Sequence, residues 1–218
     1  MITDERCAAY IESVTAHNTP FLEELEKKAR DGGVPVIRRP AQSLLKFVLA
    51  GSKPSYILEL GTAVAFSAIF MVTYGPEDVR IDTIENYEKH VKLAHENIAA
   101  SGMEGRINLI EGDAADVMKE LAGCGRSYDL IFMDAAKAQY INYLPLCKSL
   151  LSEGGILVAD NVLFDGDIVQ SRFAVRRRDR TIHSRMREYL RAVSDDEELV
   201  TTILPVGDGM TLSVKQRT

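Results

Sequence analysis

Three polar residues lie at the ends of two apolar segments that are typical of buried strands. Asp134 lies in the segment 128–135, and Asp160 and Asn161 end the segment 154–161. Ligands of open α/β sheets bind beyond the carboxyl ends of the strands, so these side chains can converge there. Two carboxylates and a carboxamide are hard oxygen donors that suit Mg²⁺ or Ca²⁺, and no His or Cys accompanies them as zinc would require. Helix capping and loop hydrogen bonds are the alternative, but the pattern favours a metal site.

Lys137 lies three residues after Asp134, so its ammonium group can point into the same crevice. A divalent cation nearby disfavours the charged form of a lysine and makes it a better base. A surface lysine without a chemical role is the alternative, and the spacing alone favours that alternative.

A second set of polar residues follows the first three predicted strands. Gly61 allows a tight turn, and the helix after it presents backbone N–H groups to a ligand. Glu85 ends the second strand, where an acid can accept both hydroxyls of a ribose. Asp113 can cap the next helix or accept from an adenine amino group. A turn glycine and a solvent-facing acid are the alternatives, and the absence of G-x-G-x-x-G argues against NAD.

A basic segment interrupts an otherwise acidic chain. The formal net charge is −6, which by itself argues against a nucleic-acid partner. Residues 171–191, however, contain eight arginines against Asp179 and Glu188, a local charge of +6. The planar guanidinium group suits phosphate oxygens, so this segment predicts a focused phosphate-binding surface. A solvated helix face is the alternative and stays open, although few acids lie beside the triplet Arg176–Arg178.

The elements that must position these residues alternate from residue 55 onwards. The pattern predicts strands at 56–60, 79–85, 107–112, 128–135 and 154–161, each followed by a helix, at 63–74, 88–100, 114–121, 139–151 and about 180–193. Short apolar strands that alternate with helices predict a parallel sheet covered on both faces.

The end of the chain breaks this alternation. Strands are predicted at 199–207 and 210–215, and the link between them is too short for a crossover, so the last strand must be antiparallel. The predicted fold class is α/β: a doubly wound, mostly parallel seven-stranded sheet with a C-terminal antiparallel hairpin. The S-adenosylmethionine (SAM)-dependent methyltransferases share this Rossmann-like arrangement.

Three helices are predicted before the sheet. They run from Asp4 to Thr15, from Pro20 to Gly32-Gly33, and from about Ala41 to Ala50 with an end at Gly51. We expect one domain over residues 1–218, in which a helical cap (1–53) precedes the core (54–218). Such a cap suits a dimer interface, so a homodimer is expected.

Composition narrows the class of protein. Hydrophobic residues make up 46% of the 218 residues, enough for a globular core, and no apolar run reaches the ~18 residues of a membrane span. The charged N-terminus has no apolar signal region, and the three cysteines lie far apart. These features predict a cytoplasmic protein with reduced thiols.

Three stretches resemble one known family: Glu59-Leu60-Gly61-Thr62…Ser67, Asp134-Ala135-Ala136-Lys137 and Asp160-Asn161-Val162-Leu163. They are similar to the metal-dependent, catechol-type O-methyltransferases, which use SAM, and the similarity covers almost the whole chain. The resemblance implies Mg²⁺ at Asp134, Asp160 and Asn161, with catalytic roles for Asp134 and for Lys137 as general base. It also implies a SAM site at Ile37, Glu59, Gly61, Ser67, Glu85, Asp113, Ala114 and Asp134.

A closer resemblance is to the bacterial tRNA 5-hydroxyuridine methyltransferases. It rests on residues 160–166, on the arginine cluster 176–180, and on residues 205–209 followed by Ser213. It implies methyl transfer from SAM to the 5-hydroxyl of a wobble uridine of tRNA, which gives 5-methoxyuridine. The phosphates of the anticodon loop would then be held by Arg176, Arg177, Arg178 and Arg180. The alternatives are a small catechol or other phenolic substrate, a nucleotide-binding module without catalysis, and a dehydrogenase.

The first loop departs from the family pattern at two positions. Ala65 stands where a second glycine is usual, and Phe66 stands where a tyrosine is common. The extra methyl group of Ala65 near the cofactor makes SAM affinity the property to examine.

Overall fold

The computed structural model describes residues 5–217, so Asp4, the predicted start of the first helix, lies outside them. The described residues form eight α-helices: α1 (Glu5–Val14), α2 (Pro20–Asp31), α3 (Arg39–Ser52), α4 (Phe66–Tyr74), α5 (Glu88–Ser101), α6 (Ala114–Gly123), α7 (Tyr140–Leu150) and α8 (Arg180–Ser194). They also form seven strands: β1 (Tyr56–Leu60), β2 (Arg80–Glu85), β3 (Ile107–Glu111), β4 (Tyr128–Met133), β5 (Leu151–Ala159), β6 (Leu199–Leu204) and β7 (Met210–Lys215).

The seven strands form one sheet in the order β3-β2-β1-β4-β5-β7-β6. β1 to β5 pair in parallel, whereas β7 runs antiparallel to both β5 and β6. This confirms the predicted doubly wound sheet with its terminal hairpin. Leu60, Met133 and Ala159 pair across the ends of β1, β4 and β5. The residues that follow these three strands therefore lie along one edge of the sheet.

Helices cover both faces of the sheet and bury two apolar clusters. On one face, α2 to α5 pack over the sheet, with Leu25, Leu45 and Phe70 among the buried side chains. On the other face, α6 to α8 pack around Met118 and Tyr189. Burial of a large apolar side chain contributes about 1.5–3 kcal/mol, so both layers hold the strand ends in place.

Several element boundaries differ from the sequence-based expectation. α3 continues through Gly51 and ends only before Lys53, which adopts a left-handed conformation ahead of Pro54. β6 ends at Leu204 rather than at residue 207, because Pro205 has no N–H group to continue a strand.

In the described residues, no helix is long and apolar enough to cross a membrane. No disulfide joins the three cysteines, which all lie in this part of the chain.

Candidate active site

A cavity of about 340 Å³ opens at the carboxyl ends of β1, β2 and β4. Seven of the predicted site residues contribute to its wall: Ile37, Gly61, Ser67, Glu85, Ala114, Asp134 and Lys137. Residues from five separate segments of the chain therefore meet around one space. Glu59, Asp113, Asp160 and Asn161 are not part of this wall.

Gly61 is required by the approach of two strand ends. Its φ angle is +96°, and a Cβ atom there would lie 2.2 Å from the carbonyl oxygen of Asp134. Only glycine combines that backbone angle with so close a contact. The residues 61–64 of this turn line the cavity.

The start of α4 is shaped by two alanines with left-handed backbones. Ala63 has φ +46° and Ala65 has φ +63°, so the helix begins at Phe66 and not at the predicted Ala63. Ala65 is fully buried in the apolar cluster that contains α4, and it does not line the cavity. Its methyl group therefore strains the backbone by about 1 kcal/mol rather than occupying cofactor space.

Glu85 presents a fixed carboxylate at the cavity wall. Its Oε2 accepts from the N–H of Ala63 at 2.9 Å, and its Oε1 accepts from the N–H groups of Asn86 and Tyr87 at 3.0 and 2.9 Å. A carboxylate has about four acceptor positions, and three are used here, so about one position on Oε2 remains for a ligand hydroxyl group. This geometry suits the predicted ribose contact.

Glu59 lies behind the cavity in a completely buried position. A hydrogen bond of 2.5 Å joins its Oε2 to Thr83 Oγ1, which in turn lies 2.6 Å from Thr62 Oγ1. Burial raises the pKa of Glu59 to about 8, against the opposing hydrogen bonds of Ser67 and Thr83. The carboxyl group is therefore mostly neutral at pH 7, and it supports the wall residues Thr62 and Ser67 from behind.

Asp113 acts as the N-cap of α6. Its Oδ1 accepts from the N–H groups of Ala115 at 2.9 Å and of Asp116 at 3.4 Å. Capping was one of the two interpretations that the sequence left open. The neighbouring Ala114 contributes to the cavity wall, whereas the Asp113 side chain does not.

Asp134, Lys137, Asp160 and Asn161 form a contiguous polar cluster beside the cavity. Lys137 Nζ donates to Asn161 Oδ1 at 2.8 Å and lies 3.8 Å from Asp134 Oδ1. Asp160 is almost fully buried, and its Oδ1 accepts from the N–H of Asn161 at 2.7 Å. The Tyr140 hydroxyl lies 3.1 and 3.0 Å from the carbonyl oxygens of Met133 and Asp160, and so ties the ends of β4 and β5 together.

The donor set fits a hard divalent cation. Burial, reinforced by the charge of Asp134, raises the pKa of Asp160 to about 7. Burial likewise raises the pKa of Asp134, while the Lys137 ammonium opposes the increase. Two carboxylates that destabilise each other's charge form a site that a divalent cation would stabilise. Among the described side chains, no group of three His, Cys, Asp or Glu residues could hold a metal, so a cation bound here would need the carboxamide of Asn161 as a third protein ligand.

The four predicted tRNA-binding arginines have different environments. Arg180 donates to the carbonyl oxygens of Val175 and Phe173, both at 3.3 Å, and its guanidinium lies 5.7 Å from the Phe173 ring centre. Arg178 lies 3.6 Å from the carboxylate of Asp179. Arg176 and Arg177 are exposed, and no acidic side chain that the structure describes forms an ion pair with either of them. Of these four arginines, Arg176 and Arg177 are therefore the most available to an external phosphate.

Sequence reasoning missed several wall residues. The cavity is also lined by Asn86, His90 and Tyr143. Asn86 directly follows Glu85, and the other two lie on the first turns of α5 and α7, which were the signals that the sequence offered. It also missed Phe173, which is 82% exposed next to Arg180. An exposed aromatic residue within a basic segment is a signal that could have been used.

The chain matches known proteins along most of its length. A family model described as "O-methyltransferase" matches residues 12–216. A catechol O-methyltransferase from Niastella koreensis is 31% identical over 163 residues, which cover 73% of this chain and 74% of that protein. A Staphylococcus aureus structure, provisionally described as a caffeoyl-CoA O-methyltransferase, is 27% identical with a TM-score of 0.89, and covers 97% of this chain and 100% of its own. A Podospora anserina methyltransferase, solved with S-adenosylhomocysteine (SAH), is 26% identical with a TM-score of 0.85 over 98% of this chain and 95% of its own.

Proposed function

This chain belongs to the O-methyltransferase family, and on that premise we propose that it transfers a methyl group from SAM to the 5-hydroxyl of a tRNA uridine at the wobble position. The general reaction, SAM-dependent O-methylation, follows from the family. The identity of the methyl acceptor, the metal and the roles of single residues are proposals.

The cavity residues are suited to hold SAM. Glu85 would accept from a ribose hydroxyl group through Oε2, and the N–H groups at the start of α4 would face the amino-acid part of the cofactor. Ile37, buried at the opposite wall, would pack against the edge of the ligand. The SAH bound to the Podospora anserina relative supports this assignment.

The polar cluster beside the cavity would carry the chemistry. Mg²⁺ held by Asp134, Asp160 and Asn161 would supply Lewis acidity that favours the anionic form of the substrate oxygen. Lys137 Nζ reaches the donor set, and a cation bound there would favour its neutral amine form. In that form Lys137 would accept the hydroxyl proton at Nζ. The strand ends would hold the acceptor oxygen in line with the methyl group, and such orientation can provide most of a rate enhancement.

One observation carries the choice of tRNA: the exposed pair Arg176 and Arg177, which no described acid neutralises. Guanidinium groups in this state can bind backbone phosphates at little desolvation cost. The segment leads directly into α8, which packs against the turn that carries Lys137. Phosphates held there would therefore lie on the substrate side of the cavity.

A small catechol or other phenolic compound is the second candidate acceptor. The names of the catechol and caffeoyl-CoA relatives favour it. In that case the two arginines would be ordinary surface residues and the same donor set would bind the phenolic oxygen.

Methyl transfer from labelled SAM to hydroxyuridine-containing tRNA and to catechol separates the two candidates. We expect labelled tRNA, and we expect Arg176→Ala/Arg177→Ala to lower tRNA labelling at least tenfold at low salt. The control Lys89→Ala/Lys92→Ala removes the same charge from exposed positions of α5 and should leave labelling unchanged. Efficient catechol labelling without tRNA labelling would refute the tRNA proposal.

We also infer that the protein forms a homodimer through its helical cap. Tyr10, Ile11 and Val14 of α1 and Phe47 of α3 are exposed apolar side chains beside a second cavity of about 640 Å³. A second copy of the chain would remove this apolar surface from water. Light scattering should give twice the monomer mass, and Phe47→Glu should lower it to the monomer value.

A further inference from the structure

We propose that Asp208, in the loop between β6 and β7, is a positioning residue that orients the carboxamide of Asn161 toward the cation-binding set. The inference rests on the metal-dependent reaction proposed above. It assigns a task to the segment 205–209, which the sequence singled out and the reaction scheme does not otherwise use.

The carboxamide of Asn161 lies between a cation and an anion. Its Oδ1 accepts from Lys137 Nζ at 2.8 Å, and its Nδ2 donates to Asp208 Oδ2 at 3.3 Å. Only one orientation of the amide satisfies both contacts, because Asp208 accepts and the Lys137 ammonium group donates. The same orientation places the oxygen of Asn161, rather than its nitrogen, on the side of Lys137 Nζ, which also lies 3.8 Å from Asp134 Oδ1.

The backbone holds Asp208 at a fixed position relative to Asn161. The N–H groups of Val162 and Leu163 donate to the carbonyl oxygens of Gly209 and Asp208, both at 2.9 Å. Asn161 itself has φ +59°, a left-handed conformation that asparagine adopts more readily than most other non-glycine residues. The loop thus supports both the backbone and the side chain of the proposed metal ligand.

Asp208 also connects this loop to the helical cap. Arg38 lies 2.6 Å from Asp208 Oδ1 and directly follows Ile37, which lines the cavity. Asp208 is therefore in contact with two segments at once, one at the proposed cofactor and one at the proposed metal. The variant Arg38→Gln tests the two contacts of Asp208 separately. It removes the ion pair with Arg38 and leaves the hydrogen bond with Asn161.

Titration of the SAM-free protein with Mn²⁺, followed by electron paramagnetic resonance, measures the effect without any activity readout. We expect Asp208→Ala to weaken Mn²⁺ binding about 10–100-fold, the usual consequence of losing a residue that orients a metal ligand. Asp208→Asn keeps an acceptor for Asn161 Nδ2, so it should retain Mn²⁺ affinity close to that of the wild type. Arg38→Gln should likewise retain it.

Asp196→Ala is the matched control. Asp196 has the same side-chain exposure as Asp208, 15%, and the same 2.6 Å ion-pair distance, to Lys148. It precedes β6, however, whereas Asp208 lies beyond the opposite end of that strand. Its Mn²⁺ affinity should equal that of the wild type. Melting temperatures of all variants, measured in parallel, identify any loss of affinity that comes from unfolding.

Four outcomes would overturn the inference. Wild-type affinity in a folded Asp208→Ala protein would show that Asn161 needs no support. Equal losses in Asp208→Asn and Asp208→Ala would assign the effect to charge alone, and an equal loss in Arg38→Gln would assign it to the cap. If the wild-type protein binds no Mn²⁺, the proposed metal fails together with this inference, whereas methyl transfer without metal would leave the rest of the proposed function standing.

Discussion

Replacement of Glu59 by Gln tests how strongly the buried end of β1 disfavours a charge. The substitution keeps the shape of the side chain and leaves it neutral at every pH. Glu59 is wholly buried, and its pKa is raised by burial from the ordinary value of 4.5 to about 8. Because the folded protein holds this proton more tightly than the unfolded chain, its contribution is fully present below pH 4.5 and is lost as the pH rises toward 8.

The size of the effect follows from the two pKa values. Each pH unit between them changes the free energy of unfolding by about 1.4 kcal/mol. Between pH 5 and pH 8, the wild-type protein should therefore lose roughly 3 to 4 kcal/mol relative to Glu59→Gln. The variant should be the more stable protein at pH 8.

Urea unfolding at several pH values, with EDTA present, measures this difference directly. Glu24→Gln is the control, because Glu24 is an exposed carboxylate paired with Lys28. Its pH profile should remain close to that of the wild type. Parallel profiles for the wild type and Glu59→Gln would refute the reasoning, since they would mean that Glu59 titrates normally in its buried position.

Three other substitutions test the first loop of the site and the sheet that carries it. Asp82→Asn should destabilise the protein by about 2 kcal/mol at pH 7, and this cost should vanish in acid. Burial raises the pKa of Asp82, but the hydrogen bonds from Tyr128, Asn108 and Arg126 outweigh burial and hold that pKa below its ordinary value. Urea unfolding at pH 2–7 checks this, because the contribution of Asp82 is lost only as the pH falls below the ordinary pKa of 3.8. Gly61→Ala should cost at least about 2 kcal/mol in thermal unfolding and weaken SAM binding, because its Cβ meets the Asp134 carbonyl; an unchanged melting temperature would contradict this. Ala65→Gly should leave the SAM dissociation constant unchanged in calorimetry, because the methyl group faces the core.

Much of the fold could be derived from the order of apolar segments. Alternating strands and helices predict a parallel sheet, and the short link near Gly207–Gly209 requires an antiparallel last strand. The sheet then brings the ends of β1, β4 and β5 to one edge. The proximity of Gly61, Asp134 and Asp160 follows from that arrangement alone.

The sequence was less informative about side chains whose role depends on distant neighbours. Glu59 pairs with Thr83 across β1 and β2, and Glu85 follows two residues later on the same face of the sheet. Glu59 is buried beside Thr83, whereas Glu85 lines the cavity, because Glu85 lies at the end of its strand. Arg176 and Arg180 belong to one cluster, but Arg180 contacts Phe173 and holds loop carbonyls. The two members of each pair are the same type of residue, so the sequence alone does not distinguish their roles.

The amino-acid sequence by itself determined which segments are apolar, how long the links between them are, and which polar residues follow each strand. These properties are local, and the period of a strand or helix is visible in a single segment. Only the tertiary structure decided that Asp208 reaches Asn161, that Ala65 turns its methyl group into the core, and that burial and the charge of Asp134 raise the pKa of Asp160. Contacts and desolvation arise from residues far apart in the chain, and no single segment encodes them.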